Sequence, residues 1–482
     1  MSRLIVGPFN RVEGDLEVRL DVRDGQVAEA QVSSPLYRGF EQMLAGRDPR
    51  DALVYTPRIC GICSVSQSVA SARALAAAMQ ITPPANGQLC MDLLSATENV
   101  ADHVTHFYLF FMPDFARGIY AEEPWFAEAE RRFKAGRGHA SAAMLPARTE
   151  FMHIMGTLGG KWPHTLTLQP GGSARAVQSA EQVRLRALIS GFQAFLERQA
   201  FGCELQRFAG LESEAQLQAW MDDAPWDSSD LRVFLHVSDA LGLEKLGRAG
   251  DQFMSYGAYG DDTDKLFPAG LWKGGPAELD PTTITEDLSH AWLQGPDEPL
   301  HPSKGVTMPQ TRDESAYTWC KAPRLAGQVV EVGALARQLL AGHPLIVDLV
   351  NRSGGNVRNR VIARWLECAQ LLPKMQEWIG AIERGEPYCH DAPVPDEAHG
   401  VGLVEAARGS LGHWLEIRDG RIANYQIISP TTWNFSPRDA ADTAGPLEQA
   451  LVGAPVRSGE KEPVAVQHVV RSFDPCMVCT VH

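Results

Sequence analysis

Phe473-Asp-Pro-Cys476-Met-Val-Cys479-Thr-Val-His482 (FDPCMVCTVH) is one half of a pattern whose other half, Arg58-Ile-Cys60-Gly-Ile-Cys63 (RICGIC), stands near the opposite end of the sequence. A two-residue spacer points both sulfurs of a pair the same way. Four thiols in two such pairs are therefore a ligand set for a soft metal: zinc, copper(I), an iron–sulfur cluster or nickel. A zinc ribbon separates its pairs by roughly 15–20 residues. Here most of the chain intervenes, so a single site requires a fold that brings both ends together. A shared soft-metal site, a structural zinc site and two unrelated pairs all stay open on spacing. Pro475 removes an N–H and fixes the approach to Cys476, which suits a ligand loop. His482 is either a metal ligand that anchors the terminus or an ordinary surface residue, since chain ends are commonly loose.

Working outward, each cysteine pair has a hairpin nearby. Leu16, Val18, Leu20 and Val22 alternate, Asp24-Gly25 makes a turn that needs positive φ, and Val27 resumes the alternation. Leu20 to Val32 (LDVRDGQVAEAQV) and Leu415 to Ile427 (LEIRDGRIANYQI) share six identities in thirteen. Asp-Gly turns between alternating strands look alike by chemistry, so the likeness need not mean duplication. Between the hairpins the periodicity is helical: Ser66 to Met79, Gln88 to Met112 (Leu89, Leu93, Val100, Val104, Phe107 and Phe111 on one face), Val177 to Phe201, Val329 to Leu340 and Asn356 to Glu383. Ala209 to Ala326 is rich in Gly, Pro, Asp and Trp without a sustained period. The expected fold class is α+β, mainly helical: a central long-helix bundle with small N- and C-terminal antiparallel hairpins that meet near the metal site. No linker separates folding units, so residues 1–482 read as one domain. Its parts are 1–65 (hairpin and first pair), 66–205 and 327–390 (bundle), 206–326 (irregular cover) and 400–482 (hairpin and second pair).

With 482 residues, 44% hydrophobic and 21% charged, the chain has the composition of a globular protein with ample core, and disordered or low-complexity classes are excluded. Fifty-nine acidic against 44 basic side chains give a net charge of −15, with no basic tract, which argues against nucleic acid or a membrane surface as partner. No run approaches the roughly 20 apolar residues of a spanning helix. The opening MSRLIVGPFNRVEGD lacks a basic-then-apolar layout, so the expected location is cytoplasmic. Nine cysteines, an odd number in a large chain, suit reduced thiols. Cys90, Cys203, Cys320, Cys368 and Cys389 stand alone and cannot assemble an iron–sulfur cluster, so electrons from a redox centre would leave through another chain.

RICGIC, together with RVEGD (Arg11 to Asp15), YRGFE (Tyr37 to Glu41), GGKWPH (Gly159 to His164), EAARGSLGHW (Glu405 to Trp414), SPTTWNFSPRD (Ser429 to Asp439) and FDPCMVCTVH, resembles the large subunit of nickel–iron hydrogenases, in order, from about residue 5 to 482. The resemblance implies that the four cysteines bind nickel and that the second of each pair bridges to an iron carrying carbon monoxide and cyanide. Cys60 and Cys476 are then terminal ligands, while Cys63 and Cys479 bridge. Heterolytic splitting of dihydrogen leaves a proton for a base. Glu13 matches the family's first proton relay, fed by the sulfur of Cys479, although a Glu at a strand end is ordinarily a salt-bridge residue. Arg408 matches an arginine suspended over the metals, hydrogen-bonding cyanide, with Asp102 and Asp474 positioning it; the family's usual Pro before that arginine is Ala407 here. Thr431 matches a hydroxyl donor to the other cyanide. Glu41, His482 and the carbonyl of Ile427 match ligands of a magnesium-like ion. The implied partner is a small subunit carrying iron–sulfur clusters.

Three departures resemble the hydrogen-sensing, regulatory group. Gln67 stands four residues after Cys63, where histidine is usual; Ile62 and Phe110 replace smaller Val and Leu; and the sequence stops at His482, where catalytic large subunits are made with an extension. If Ile62 and Phe110 line a gas channel as in the family, their added bulk discriminates against dioxygen and makes the protein oxygen-tolerant; plain repacking is the other explanation. The expectation is a sensor that binds dihydrogen, cleaves it slowly, passes electrons to the small subunit and signals through the complex to a histidine kinase. The alternatives are an uptake hydrogenase feeding respiration and a structural zinc protein.

Overall fold

The structure, a computed structural model, describes residues 2–261, 263–310 and 315–482. Helix takes 46% of the chain and strand 19%, so the fold is α+β and mainly helical. The N-terminal strands β1 (Ser2–Val6), β2 (Glu17–Arg23) and β3 (Gln26–Ser33) form an antiparallel sheet in sequence order. Val18 and Leu20 face the core as their alternation requires, and Val27, Ala30 and Val32 do so across a register shift. The late sheet of β4 (Ala398–Ala406), β5 (Gly409–Arg418) and β6 (Arg421–Ile428) has the same order. Both tight turns use positive φ, Asp24 (52°) with Gly25 (75°) and Asp419 (49°) with Gly420 (65°). Register shifts at Asp21/Val22 and Glu416/Ile417 put an irregularity at the same place in each. The expected hairpins are thus three-stranded sheets. β1 escapes sequence reading because it is five residues long, and β4 because Gly400 and Gly402 dilute its strand signal.

Those two glycines have a packing cause. A Cβ on Gly400 would lie 1.9 Å from the carbonyl oxygen of Ala74, and one on Gly402 would lie 2.0 Å from that of Ala70. β4 therefore rests backbone-to-backbone on helix α1 (Ser64–Met79), whose SVSQSVASARALAAAM sequence supplies small side chains for the approach. The C-terminal sheet is in this way clamped to the helix that starts at Cys63.

The bundle is built from α1, α2 (Ala85–Thr105), α3 (Ser179–Leu196), α4 (Val357–Ala381) and α5 (Val464–Ser472). α4 packs against α2, α3 and α5. The Asn356 side chain caps it, accepting from the Asn359 amide at 2.9 Å. α2 continues into a π-helical turn, His106–Phe111, and then a 3₁₀ turn, Met112–Ala116. Such turns occur frequently at functional sites.

The stretch 206–326 is not an irregular cover. It contains helices Glu214–Asp222 and Asp230–Leu241, and strands of which Gln252–Ser255 and Gly270–Lys273 join a four-stranded sheet. Ser213 caps the first helix, and Leu217 and Trp220 are its buried residues; nine residues are too few to display a period. Lys321 and Arg324, read as part of that cover or its edge, are buried. No helix among the described residues is long and apolar enough to cross a membrane.

Candidate metal centre

Cys60 follows the 3₁₀ turn Thr56–Ile59, and Cys63 is the residue that enters α1. At the other end, Cys476 and Cys479 flank the first turn of the short helix Met477–Thr480. The sheet-like bridge between Glu13 and Cys476 docks that turn, with the Met477 amide donating to the Glu13 carbonyl at 2.7 Å. Gly14 allows the approach, since a Cβ there would sit 3.0 Å from Val478. The result is convergence: Sγ–Sγ distances are 3.4 Å (Cys60–Cys476), 3.1 Å (Cys63–Cys479) and 3.3 Å (Cys476–Cys479). All four sulfurs are buried within 4.8 Å of one another. The two pairs are therefore one site.

The electrostatics follow from crowding four thiols out of water. Hydrogen bonds from Cys476, Cys479 and Cys63 hold the Cys60 thiol well below its ordinary pKa. Burial and the neighbouring sulfurs push Cys479 well above it. One thiolate forms easily and the rest resist, so a full set of thiolates needs a cation at its centre.

Above the sulfurs, Arg408 is buried with four of its five N–H groups engaged. Nε donates to the Asp474 carbonyl (2.8 Å), Nη1 to Asp102 Oδ2 (2.5 Å), and Nη2 to Asp102 Oδ1 (3.1 Å) and Asp474 Oδ1 (3.0 Å). The second N–H of Nη1 is left for another acceptor. Burial opposes the charge, but Asp102, Asp474, Cys476 and Cys63 outweigh it and raise the pKa well above normal. Thr431 accepts from the Cys476 amide at 3.2 Å, which leaves its hydroxyl hydrogen free to donate. Glu13 is half-buried; burial, then the charge of Cys60, raises its pKa. Soft sulfur ligands accompanied by an unused guanidinium N–H and a hydroxyl fit a centre that carries its own polar ligands better than a bare zinc tetrahedron.

A second cluster joins the two ends of the chain. Glu41 Oε1 accepts from His482 Nε2 (3.0 Å) and from the Ile427 amide (2.8 Å). Glu41 Oε2 meets the Thr307 hydroxyl and Lys321 Nζ, the latter at 3.4 Å. Although burial opposes ionisation, Lys321 and His482 hold the Glu41 carboxyl down to about 2. A cavity of about 20 Å³ lined by Glu41, Glu286, Lys321, Ile427 and His482 adjoins them, room for one ion or one water. Lys321, Glu286 and the Gln426 carbonyl oxygen, 2.7 Å from Lys321 Nζ, are members that sequence reading missed.

Gln67 has a defined partner. Its amide oxygen lies 2.8 Å from His413 Nε2, and His413 Nδ1 lies 2.8 Å from the Tyr425 hydroxyl. Burial lowers the His413 pKa to about 3, so the ring is neutral. Ile62 sits in the first cysteine loop, its amide donating to Cys60 Sγ at 3.2 Å. Phe110 lies on the π-turn, where its carbonyl accepts from Arg11 at 3.0 Å. Glu98 was also missed: its carboxylate accepts from the Val65 amide (2.9 and 2.6 Å) and the Ser66 amide (3.4 Å), capping α1 just after Cys63. The available signal was a carboxylate on the buried face of a helix.

Comparison with known proteins gives a consistent result. The family described as "Nickel-dependent hydrogenase" matches residues 38–125 and 230–482. The chain is 30% identical to the uptake hydrogenase large subunit of Afipia carboxidovorans, over 100% of this chain and 95% of that one. It is likewise 30% identical to the periplasmic [NiFeSe] hydrogenase large subunit of Desulfomicrobium baculatum (100% and 95%) and to the hydrogenase-2 large chain of Escherichia coli K12 (100% and 97%). Among solved structures, the H2-activated [NiFeSe] hydrogenase of Dm. baculatum superposes with a TM-score of 0.87 at 28% identity, and the reduced Ni-Fe-Se hydrogenase of D. vulgaris Hildenborough with 0.85 at 28%; each covers 100% of both chains.

Proposed function

The chain belongs to the nickel-dependent hydrogenase family, as a large subunit, and from that premise we propose that it cleaves dihydrogen heterolytically at a nickel–iron centre held by Cys60, Cys63, Cys476 and Cys479, with Glu13 taking the proton. The observation that carries this is the four-sulfur cluster assembled from both ends of the chain, with Glu13 locked by its own carbonyl to the second cysteine loop. A nickel–iron pair, its iron bearing carbon monoxide and cyanide, supplies when bound the polarisation that makes dihydrogen acidic. The remaining N–H of Arg408 and the hydroxyl of Thr431 would hold the diatomic ligands, Cys479 would pass the proton to Glu13, and Asp102 and Asp474 keep Arg408 in place. Glu41 and His482, with Ile427, hold a magnesium-like ion that ties the two ends together.

Electrons would leave to the small subunit, and His164 lies next to the loop of the first cysteine pair. The His164 amide donates to the hydroxyl of Ser64, the residue after Cys63, at 3.4 Å, and its Nδ1 lies 2.9 Å from the Pro57 carbonyl. Leu166, two residues further on, is 46% exposed, an apolar element for the iron–sulfur small subunit to cover. Among the described residues the five other cysteines form no cluster of their own.

Within the family, Gln67 with its neutral His413 partner, Ile62 and Phe110 support a hydrogen sensor that turns over slowly and signals to a histidine kinase. The names of relatives such as that of A. carboxidovorans favour a second reading, an uptake hydrogenase feeding electrons to respiration. Purified with its small subunit, the complex should contain nickel and iron, show infrared bands of bound carbon monoxide and cyanide, and oxidise dihydrogen slowly in air. Zinc without such bands defeats the centre. Fast oxidation that air stops defeats the sensor and supports the uptake enzyme.

The double substitution Ile62→Val with Phe110→Leu should then render dye reduction oxygen-sensitive. Steric differences of methylene size discriminate by roughly 1–3 kcal/mol, tenfold or more, so activity under air should fall about tenfold against the same variant under nitrogen. Equal activity under both gases removes these side chains from gas selection.

A further inference from the structure

α4 turns a polar seam toward the site: Arg360, Arg364 and Glu367, at spacings that place them on one helix face. Two of the three are fully partnered. Arg360 donates to both oxygens of Glu331 at 2.8 Å and stands 3.6 Å over the ring of Phe473. Glu367 accepts two bonds of 2.8 Å from Arg337 and lies 3.0 Å from His103 Nε2. Arg364 lies between them, 8% exposed, and its Nε and Nη1 meet no acceptor among the described residues. Burial lowers its pKa to about 10, with Asp474 and Asp102 favouring the charge and Arg360 and Arg408 opposing it. The guanidinium is therefore charged at neutral pH.

The acceptor side of this mismatch is Asp474. Its Oδ1 takes Arg408 Nη2, while its Oδ2, equally shielded, meets no donor among the described residues. Asp474 also adopts φ of 56°, a left-handed conformation that aspartate tolerates better than most residues and that turns the chain just before Cys476. Two residues later the chain reaches Cys476. Buried polar groups are almost always satisfied, and a donor and an acceptor too far apart to pair directly are satisfied by water between them.

We propose that Arg364 is a positioning residue for Arg408: a buried water shared between the Arg364 guanidinium and Asp474 Oδ2 fixes that carboxylate, and through it the orientation of Arg408 over the metal-binding sulfurs. Arg360 pins Phe473 and Arg364 pins Asp474, so one helix sets the loop that delivers Cys476. The functional part of this inference rests on the hydrogenase reading; the water does not.

The test uses the metal-loaded complex with its small subunit. A high-resolution crystal structure of the unmodified complex should show a water about 3 Å from both Arg364 and Asp474 Oδ2; a direct Arg364–Asp474 pair or a dry gap overturns the proposal even if dihydrogen is turned over. In Arg364→Met, nickel and iron content should persist, the diatomic infrared bands should shift, and kcat should fall about tenfold to a hundredfold with KM for dihydrogen little changed. Arg364→Lys should restore most of the rate and the band positions. Native bands and native kcat in Arg364→Met refute a positioning role. If that variant does not accumulate, the water in the unmodified complex decides. An unmodified complex with the water but no hydrogenase activity refutes the functional reading and leaves the site intact.

Discussion

Cys479→Ser should abolish assembly of the metal centre while leaving the chain folded. Cys479 is buried, with its sulfur 3.1 Å from Cys63 and 3.3 Å from Cys476, so it would hold the metals together with the other three thiols. A hydroxyl replaces a soft, polarisable thiolate with a hard group that does not ionise near neutrality. Structural four-ligand zinc sites are worth about 10–16 kcal/mol, so one ligand is worth roughly 3 kcal/mol, about a hundredfold in affinity. Nickel and iron in the purified chain should therefore fall below about a tenth of the parent level, and the infrared bands should vanish. The fold should survive, since α4 with its Arg337–Glu367–Glu405 network and the sheet resting on α1 do not depend on that sulfur. Circular dichroism should be unchanged. Full metal content in the serine variant would mean that the four sulfurs do not share one centre.

The limits of sequence reading follow from what kinds of contact each feature uses. The tight turns were legible because Asp24-Gly25 and Asp419-Gly420 encode positive φ within two residues. The bundle was legible because α2 and α4 are long enough to show a period. The remaining strand of each sheet was not: β1 is only five residues long, and β4 trades strand propensity for glycines whose purpose appears only when α1 lies against them. In the site, the cysteine pairs announce themselves by local spacing, but their union into one cluster rests on a bridge between Glu13 and Cys476 that no local pattern encodes. Glu98, His413, Lys321 and Arg364 were invisible for the same reason. Each looks ordinary in its own segment and acquires a role only from a partner brought in by the fold. The family resemblance supplied the ligands and roles of residues such as Arg408; the structure shows that Asp102 and Asp474, from different helices and loops, do reach it.

Glu13→Gln should suppress hydrogen/deuterium exchange by about 10²–10⁴-fold, the usual worth of a positioned general base, with metal content and infrared bands retained. Glu13 is joined to the second cysteine loop through its backbone, the Met477 amide on its carbonyl at 2.7 Å, so the side chain can be changed without undoing the join. Glutamine keeps the size and hydrogen-bonding capacity but cannot accept and release a proton. The pH profile carries a second signature. Burial and then the Cys60 charge raise the Glu13 pKa above the ordinary glutamate value, while Arg408 and Arg38 moderate the rise. As the base, Glu13 must be ionised, so the parent rate should be full above that raised pKa and decline as pH falls through it, at a higher pH than a free glutamate would give. The glutamine variant should lose this acid limb along with the rate. Glu13→Asp, a carboxylate on a shorter arm, should keep the limb and recover part of the exchange. Exchange that persists in Glu13→Gln with its acid limb intact would assign the proton to another group, and the carboxyl of Glu13 would then be no more than a polar residue at the edge of the cysteine loops.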